Sequence, residues 1–317
     1  MASSAQTGAT SVLTSTGTSE GRLPAAERRR EAFWAYLLLS PAIVLFLVFI
    51  AGPLIGAVIL SFFQWDLLTP AHYIGIANYQ ELRHDTKLWQ AVRNTFVFSF
   101  WSLVLHIGIG LILALMVQRA IPGVLKYVFR TSIFFPVIMS WAAVSLIWLY
   151  ILDPNYGFIN YYLDKIGIPT KSWLLMPNTA MPTLILIDFW KTVGFTFILL
   201  LAGLQSVPDH LYEAAKIDGA GSWRRFLNIT IPMLSPTLFL TAVLTFIGAF
   251  QIFDPMYIMT GGGPLGRTDT VVLHIYNTGF KRFEMGYAST MAIIVFLIIL
   301  AMTLIQMRLS RHWVFYE

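Results

Sequence analysis

Cysteine is absent, and charge is scarce: 12% of the 317 residues are charged, against about 25% in an ordinary soluble domain. The missing thiols exclude disulfides, thiolate zinc sites and cysteine nucleophiles. With 57% hydrophobic residues and so few charges, the chain cannot cover a water-facing surface, so part of its solvent is lipid. A catalytic constellation is also missing. The six histidines (72, 84, 106, 210, 274 and 312) contain no pair at the i, i+4 spacing of a zinc helix, and no Ser–His–Asp set can be assembled. Gly261–Pro264 (GGGP) lacks the lysine of a phosphate loop and reads as a tight flexible turn. No metal site and no catalytic residue is expected, and the chain is read as a non-enzyme. Its net charge of +5 fits basic flanks of membrane helices better than a nucleic-acid partner.

What is present are six apolar runs, each long enough to cross a bilayer as helix. They are Phe33–Phe63, Thr95–Val117, Thr131–Leu152, Pro182–Leu204, Pro232–Phe253 and Gly286–Met307. The first follows Arg28, Arg29 and Arg30 as a signal peptide would, but it is too long for one and lacks a clear cleavage site. It is read as a retained helix. An even count puts both termini on one side, and basic residues choose which. Arg22, Arg28, Arg29, Arg30, Arg119, Lys126, Arg130, Lys216, Arg224, Arg225, Arg308 and Arg311 share the side of the termini. Arg83, Lys87, Arg93, Lys165, Lys171, Arg267, Lys281 and Arg282 lie opposite. The larger set marks the cytoplasm.

The fold class expected is an all-α membrane protein of six transmembrane helices. Residues 1–32 read as a disordered cytoplasmic tail, 33–310 as the membrane domain and 311–317 as a short cytoplasmic tail. A short amphipathic helix is expected through Tyr79–Leu88. Pro41, Pro53, Pro136, Pro232 and Pro236 sit in or at the start of spans, where each can kink its helix. Asp188 and Lys191, inside the fourth run at i, i+3, share a helix face. Two readings stand for them: a polar substrate route or gate, or a structural ion pair. His106 is expected to hydrogen-bond a neighbouring helix.

Residues 206–232 interrupt the apolar pattern. Ser206 and Asp209 have the spacing of a capping box, opening a helix that ends at Asp218–Gly219. Ser222 can cap a second short helix carrying Trp223 and Phe226. The physical reading alone leaves two options, a protein-docking element or an interfacial loop anchored by its aromatics.

The stretch EAAKIDGAGSWRRFLNITIP, with Glu213, Ala214, Ala215, Gly219, Ile229 and Pro232 in place, resembles the EAA loop of permease subunits in ATP-binding-cassette importers. Ile231 replaces the usual leucine, and Asp218–Ala220 (DGA) is similar to the sugar-importer branch. Phe129-Arg130, Phe135-Pro136, Trp148, GFIN (157–160), WKTVGF (190–195), AGLQSVP (202–208) and TGGGP (260–264) extend the resemblance over nearly all of 33–310. Together they resemble the maltose-type six-span permeases with the type I importer fold. The resemblance implies a sugar or related polyol substrate, with glycerol-3-phosphate or glycerophosphodiesters as the alternative. It implies a second homologous permease, two cytoplasmic ATPases that use ATP and Mg, and an extracytoplasmic binding protein. No cofactor is expected in this chain. It assigns energy coupling to Glu213, Ala214, Ala215, Asp218 and Gly219. It suggests a substrate path along Lys191, Thr192, Phe195, Gly248, Phe250, Gln251 and Asp254. A stand-alone secondary carrier, with Asp188–Lys191 as its relay, is the competing class.

Overall fold

The structure is a computed structural model that describes residues 25–118, 123–311 and 313–315. By its internal contacts the chain divides between Ile55 and Gly56, inside the first apolar run. In the first unit, α1 (Ala25–Phe46) passes through a π-helical turn at Leu47–Ala51 into the start of α2 (Gly52–Leu60), within which the boundary falls. The helix already begins at Ala25, so residues 25–32 of the expected tail are helical; residues 1–24 lie outside the described residues. The π turn has a local cause. Pro53 has no N–H to donate and its ring crowds the carbonyl one turn back, and a one-residue widening relieves that crowding.

In the second unit a two-residue antiparallel pair, β1 (Phe63–Gln64) and β2 (His72–Tyr73), precedes α3 (Ala77–His84) and α4 (Thr86–Gln118). The helix expected through Tyr79–Leu88 is therefore broken. Asp85 adopts an extended conformation, and its Oδ1 accepts from the backbone N–H groups of Lys87 and Leu88, both at 3.0 Å. That cap starts a new helix rather than continuing the old one.

The third apolar run also departs from expectation. It folds as α5 (Gly123–Ile138) and α6 (Trp141–Ile151), bent by 99°. Pro136 removes one helix hydrogen bond, and Ser140 then restarts the helix by accepting from the Ala143 N–H at 3.2 Å. The other five runs each contain a helix long and apolar enough to cross a membrane; this one crosses only as a broken span.

After α7 (Phe158–Lys165) comes α8 (Ala180–Gln205), then α9 (Asp209–Ile217) and α10 (Ser222–Arg225). α10 continues through a π turn at Phe226–Thr230 into α11 (Ile231–Phe250), again just ahead of a proline, Pro232. Past a further π turn at Met256–Thr260 follow α12 (Val271–Tyr276) and α13 (Met285–Ser310). The chain end is anchored: the Phe315 N–H donates to Ser235 Oγ at 3.0 Å and Trp313 packs edge-on to Phe239.

Helix α8 is the hub of this unit, packed against α4, α5 and α11. Lipid is as apolar as leucine, so burial gives little force between spans, and close van der Waals contact must hold them. Two glycines permit it. A Cβ on Gly194 would run into the Ile133 carbonyl and the Phe134 backbone of α5, and one on Gly203 would meet Thr237 and Leu234 of α11. One apolar cluster joins Phe98, Leu184, Ile187, Ala249 and Met256. Another joins Ala114, Phe197, Leu200, Leu204 and Leu234 at the α9 end of the same helices.

Candidate functional site

A cavity of about 280 Å³ lies along this bundle, lined by side chains from α4, α8 and α11 and by Val137 and Trp141 near the α5–α6 break. Its polar wall comes from two i, i+4 pairs on parallel helices. Ser102 and His106 on α4 face Asp188 and Thr192 on α8. Ser102 Oγ donates to Asp188 Oδ2 at 2.6 Å, and His106 Nε2 lies 2.7 Å from Thr192 Oγ1. Ser102, His106 and Asp188 are buried, and all four line the cavity. A carboxylate held there is expensive and is tolerated because it is hydrogen-bonded.

Ser102 gives its one hydroxyl proton to Asp188, so His106 Nδ1 donates to the Ser102 carbonyl at 2.7 Å. Thr192 has two acceptors within 2.7 Å, the Asp188 carbonyl and His106 Nε2. Its single proton serves one of them at a time.

The Asp188–Lys191 ion pair does not form. Asp188 is drawn to Ser102 on α4. Lys191, about 60° away around α8, reaches instead toward α5 and α6, with Nζ 4.8 Å from the Trp141 ring centroid and 3.4 Å from the Val137 carbonyl. Of the proposed path residues, Thr192, Phe195 and Gly248 line the cavity. Lys191 is buried beside it, and Phe250 is fully buried in a core edge-on to Phe96. Gln251 and Asp254 are exposed at the α11 terminus. Ser102, His106, Trp141, Thr196 and Thr245 are among the lining residues that sequence reasoning did not assign to the path. The repeated i, i+4 polar spacing, 102/106 and 188/192, was the available signal.

At the other end of α8 the chain turns into α9, whose bounds match the sequence reading although the caps do not. Ser206 Oγ donates to the Gly203 carbonyl and closes α8, while Pro208 precedes α9 without a side-chain cap. Ser222 likewise caps nothing; its Oγ accepts from Arg225. The end of α9 is as expected: Gly219 has φ +74°, and the Ala220 N–H closes back on the Ala215 carbonyl at 2.8 Å. Glu213, Ala214, Asp218 and Gly219 are exposed and Ala215 is half-buried. Ile217, 87% exposed, adds an apolar contact to that face which the sequence reading did not assign. Tyr212 Oη meets Thr230 Oγ1 at 3.0 Å, tying α9 to the base of α11.

The TGGGP segment is anchored rather than flexible. Gly261 and Gly262 take positive φ, and Thr260 and Thr268 join through their hydroxyls at 2.7 Å. Asn94 on α4 donates to the carbonyls of Gly266 and Asp269 at 2.8 and 2.9 Å. Among the described residues no cluster of metal-ligating side chains occurs.

Residues 106–314 match the profile of the binding-protein-dependent transport system inner membrane component family. The chain is 38% identical over 279 residues to the probable ABC transporter permease protein YurN of Bacillus subtilis (strain 168), covering 87% of this chain and 95% of that relative. It is 33% identical over 297 residues to the trehalose/maltose transport system permease protein MalF of Thermococcus litoralis, covering 92% and 98%. A crystal structure of a bacterial alginate ABC transporter, in complex with an alginate pentasaccharide-bound periplasmic protein, superposes with a TM-score of 0.82. That match has 25% identity and covers 91% of this chain and 97% of the other.

Proposed function

The chain belongs to the binding-protein-dependent transport system inner membrane component family, and from that premise we propose that it carries a sugar along the α4–α8–α11 cavity. It is a multi-pass permease subunit of an ABC importer, with a transport role rather than an enzymatic one. The observation that carries the substrate proposal is the composition of the cavity wall. Asp188, His106 and Thr192 offer hydrogen-bond partners to hydroxyls, while Trp141 and Phe195 offer ring faces. The named substrates of the relatives, trehalose and maltose in one and alginate in the other, are in keeping with it.

In this proposal both termini face the cytoplasm and α9 docks on a partner ATPase through Glu213, Ala214, Ala215, Asp218 and Gly219. A second permease completes the path, and an extracytoplasmic binding protein delivers the substrate. ATP and Mg act in the ATPase, one copy beneath each permease. Support for α9 as the coupling element is its exposed carboxylate-and-alanine face and its direct continuity with α8, the wall of the cavity.

The test is Glu213→Lys in the assembled importer, reconstituted in vesicles. Insertion is expected to persist while substrate-stimulated ATP hydrolysis and sugar uptake are lost. Normal uptake by this variant would overturn the coupling assignment.

A further inference from the structure

A second cavity, of about 740 Å³, opens where α4 ends beside α9, α10 and the Phe226–Thr230 turn. Its wall has two chemistries. Ile112 and Leu115, in the last two turns of a spanning helix, join Trp223 and Phe226 as an apolar side. Lys216 and Arg225, with Gln118, Ser222 and the carboxylate of Asp209, form the polar rim. Trp223 is 71% exposed and lies 5.5 Å from Phe226, the placement of an interfacial aromatic pair.

The rim is electrostatically incomplete. Among the described residues, Lys216 and Arg225 have no carboxylate within salt-bridge distance, Asp209 included. Arg225 has one weak contact, Nη2 to Ser222 Oγ at 3.3 Å, and its Nε is occluded without any partner. A site that is basic at the water boundary and apolar one turn deeper suits a molecule with the same division. Basic pockets between spans at the membrane surface take anionic lipid headgroups.

We propose that this cleft binds an anionic phospholipid, its phosphate on Arg225 and Lys216 and an acyl chain along Ile112 and Leu115. Because the cleft is shared by α4 and α9, the lipid braces the α9 loop against the membrane domain.

The experiment uses the assembled importer, exchanged into phosphatidylcholine vesicles with or without phosphatidylglycerol and analysed by native mass spectrometry for retained lipid. Retention of phosphatidylglycerol over phosphatidylcholine is expected. The Lys216→Gln/Arg225→Gln double variant should reduce that preference about thirty-fold, which is two basic contacts at about 1 kcal/mol each. Leu115→Gln, which leaves the rim intact, should weaken retention of both lipids, and co-purification of the partner subunits checks that each variant still folds. An unchanged preference in the double variant overturns the proposal. So does displacement by soluble glycerol phosphate at equal concentration, which marks a free-anion site. Retention only after the ATPase is stripped away also overturns it, because the ATPase is then the occupant.

Discussion

The crossing of α8 and α5 at Gly194 gives a prediction with an internal control. Replacing Gly194 with alanine adds one methyl group that meets Phe134 Cα at 2.8 Å, as well as the Ile133 carbonyl. Both are backbone atoms, so no rotamer change relieves the overlap, and α5 must retreat by at least about 0.6 Å to restore ordinary contact at 3.4 Å. Overpacking of this kind costs about 1–3 kcal/mol. Against it stands the helix preference of alanine over glycine, about 0.8–1 kcal/mol. The net is a loss of up to about 2 kcal/mol. Gly108 on α4 is the control, since a Cβ there meets nothing within 4 Å. Gly108→Ala collects the helix preference alone and should stabilise. Thermal unfolding of the purified assembly in one detergent compares the two. At about 2–4 °C per kcal/mol for a chain of this size, Gly194→Ala should unfold up to about 8 °C below wild type and Gly108→Ala slightly above it. A Gly194→Ala protein as stable as the Gly108→Ala protein would refute the close-crossing argument.

Gly248 lines the cavity and has open space at its missing Cβ, so Gly248→Leu should fill the path. Sugar uptake should fall about tenfold or more while subunit assembly is retained; unchanged uptake would place the path elsewhere. Asn94→Leu removes two donors to the Gly266 and Asp269 carbonyls, about 1 kcal/mol each. Amide exchange across residues 261–270 should accelerate about thirty-fold, with the rest of α4 unaffected. At Asp85, burial pushes the carboxyl pKa up, but the Leu88 N–H, the Tyr287 hydroxyl at 2.9 Å and the attraction of His274 together hold it below the ordinary 3.8. A depressed carboxylate contributes stability above its unfolded pKa and loses it as pH falls through the folded value. Asp85→Asn should therefore lower the melting temperature at pH 7 and flatten its decline below about pH 4. A parallel acid decline in both proteins would remove Asp85 as the cause.

Much of this architecture was legible because lipid imposes length and polarity rules that a single sequence exposes. The spans and α9 with its Gly219 stop follow from hydropathy and from one residue type at one φ. The broken third span did not follow, because Pro136 occurs inside a run whose hydropathy never drops; the break becomes clear only with Ser140 acting as a cap. The Asp188–Lys191 pairing failed for a related reason. Helical spacing fixes the direction of a side chain but not the neighbour it finds, and Ser102, 86 residues away, was the better partner. The path residues divided in the same way: Thr192, Phe195 and Gly248 share one face of the bundle, whereas Phe250 turns into the core beside Phe96.

The α8–α5 crossing also sets a lever geometry on α8. The 26 residues of α8 span about 39 Å without a break, and Gly194 lies about 16 Å from Gln205 on one side and about 9 Å from Asp188 on the other. If the helix pivots at that contact, a sideways displacement of about 2 Å at the α9 end, the size of a helix shift at an interface, swings Asp188 the other way by about 1 Å. On such a pivot the 2.6 Å bond from Ser102 to Asp188 would lengthen as the far end moves. Under the proposed function, a lever of this kind would tie the Asp188 contact with a hydroxylated substrate to the position of α9. A spin-label distance from α4 to residue 188 that stays fixed while α9 moves would show that α8 bends instead of pivoting.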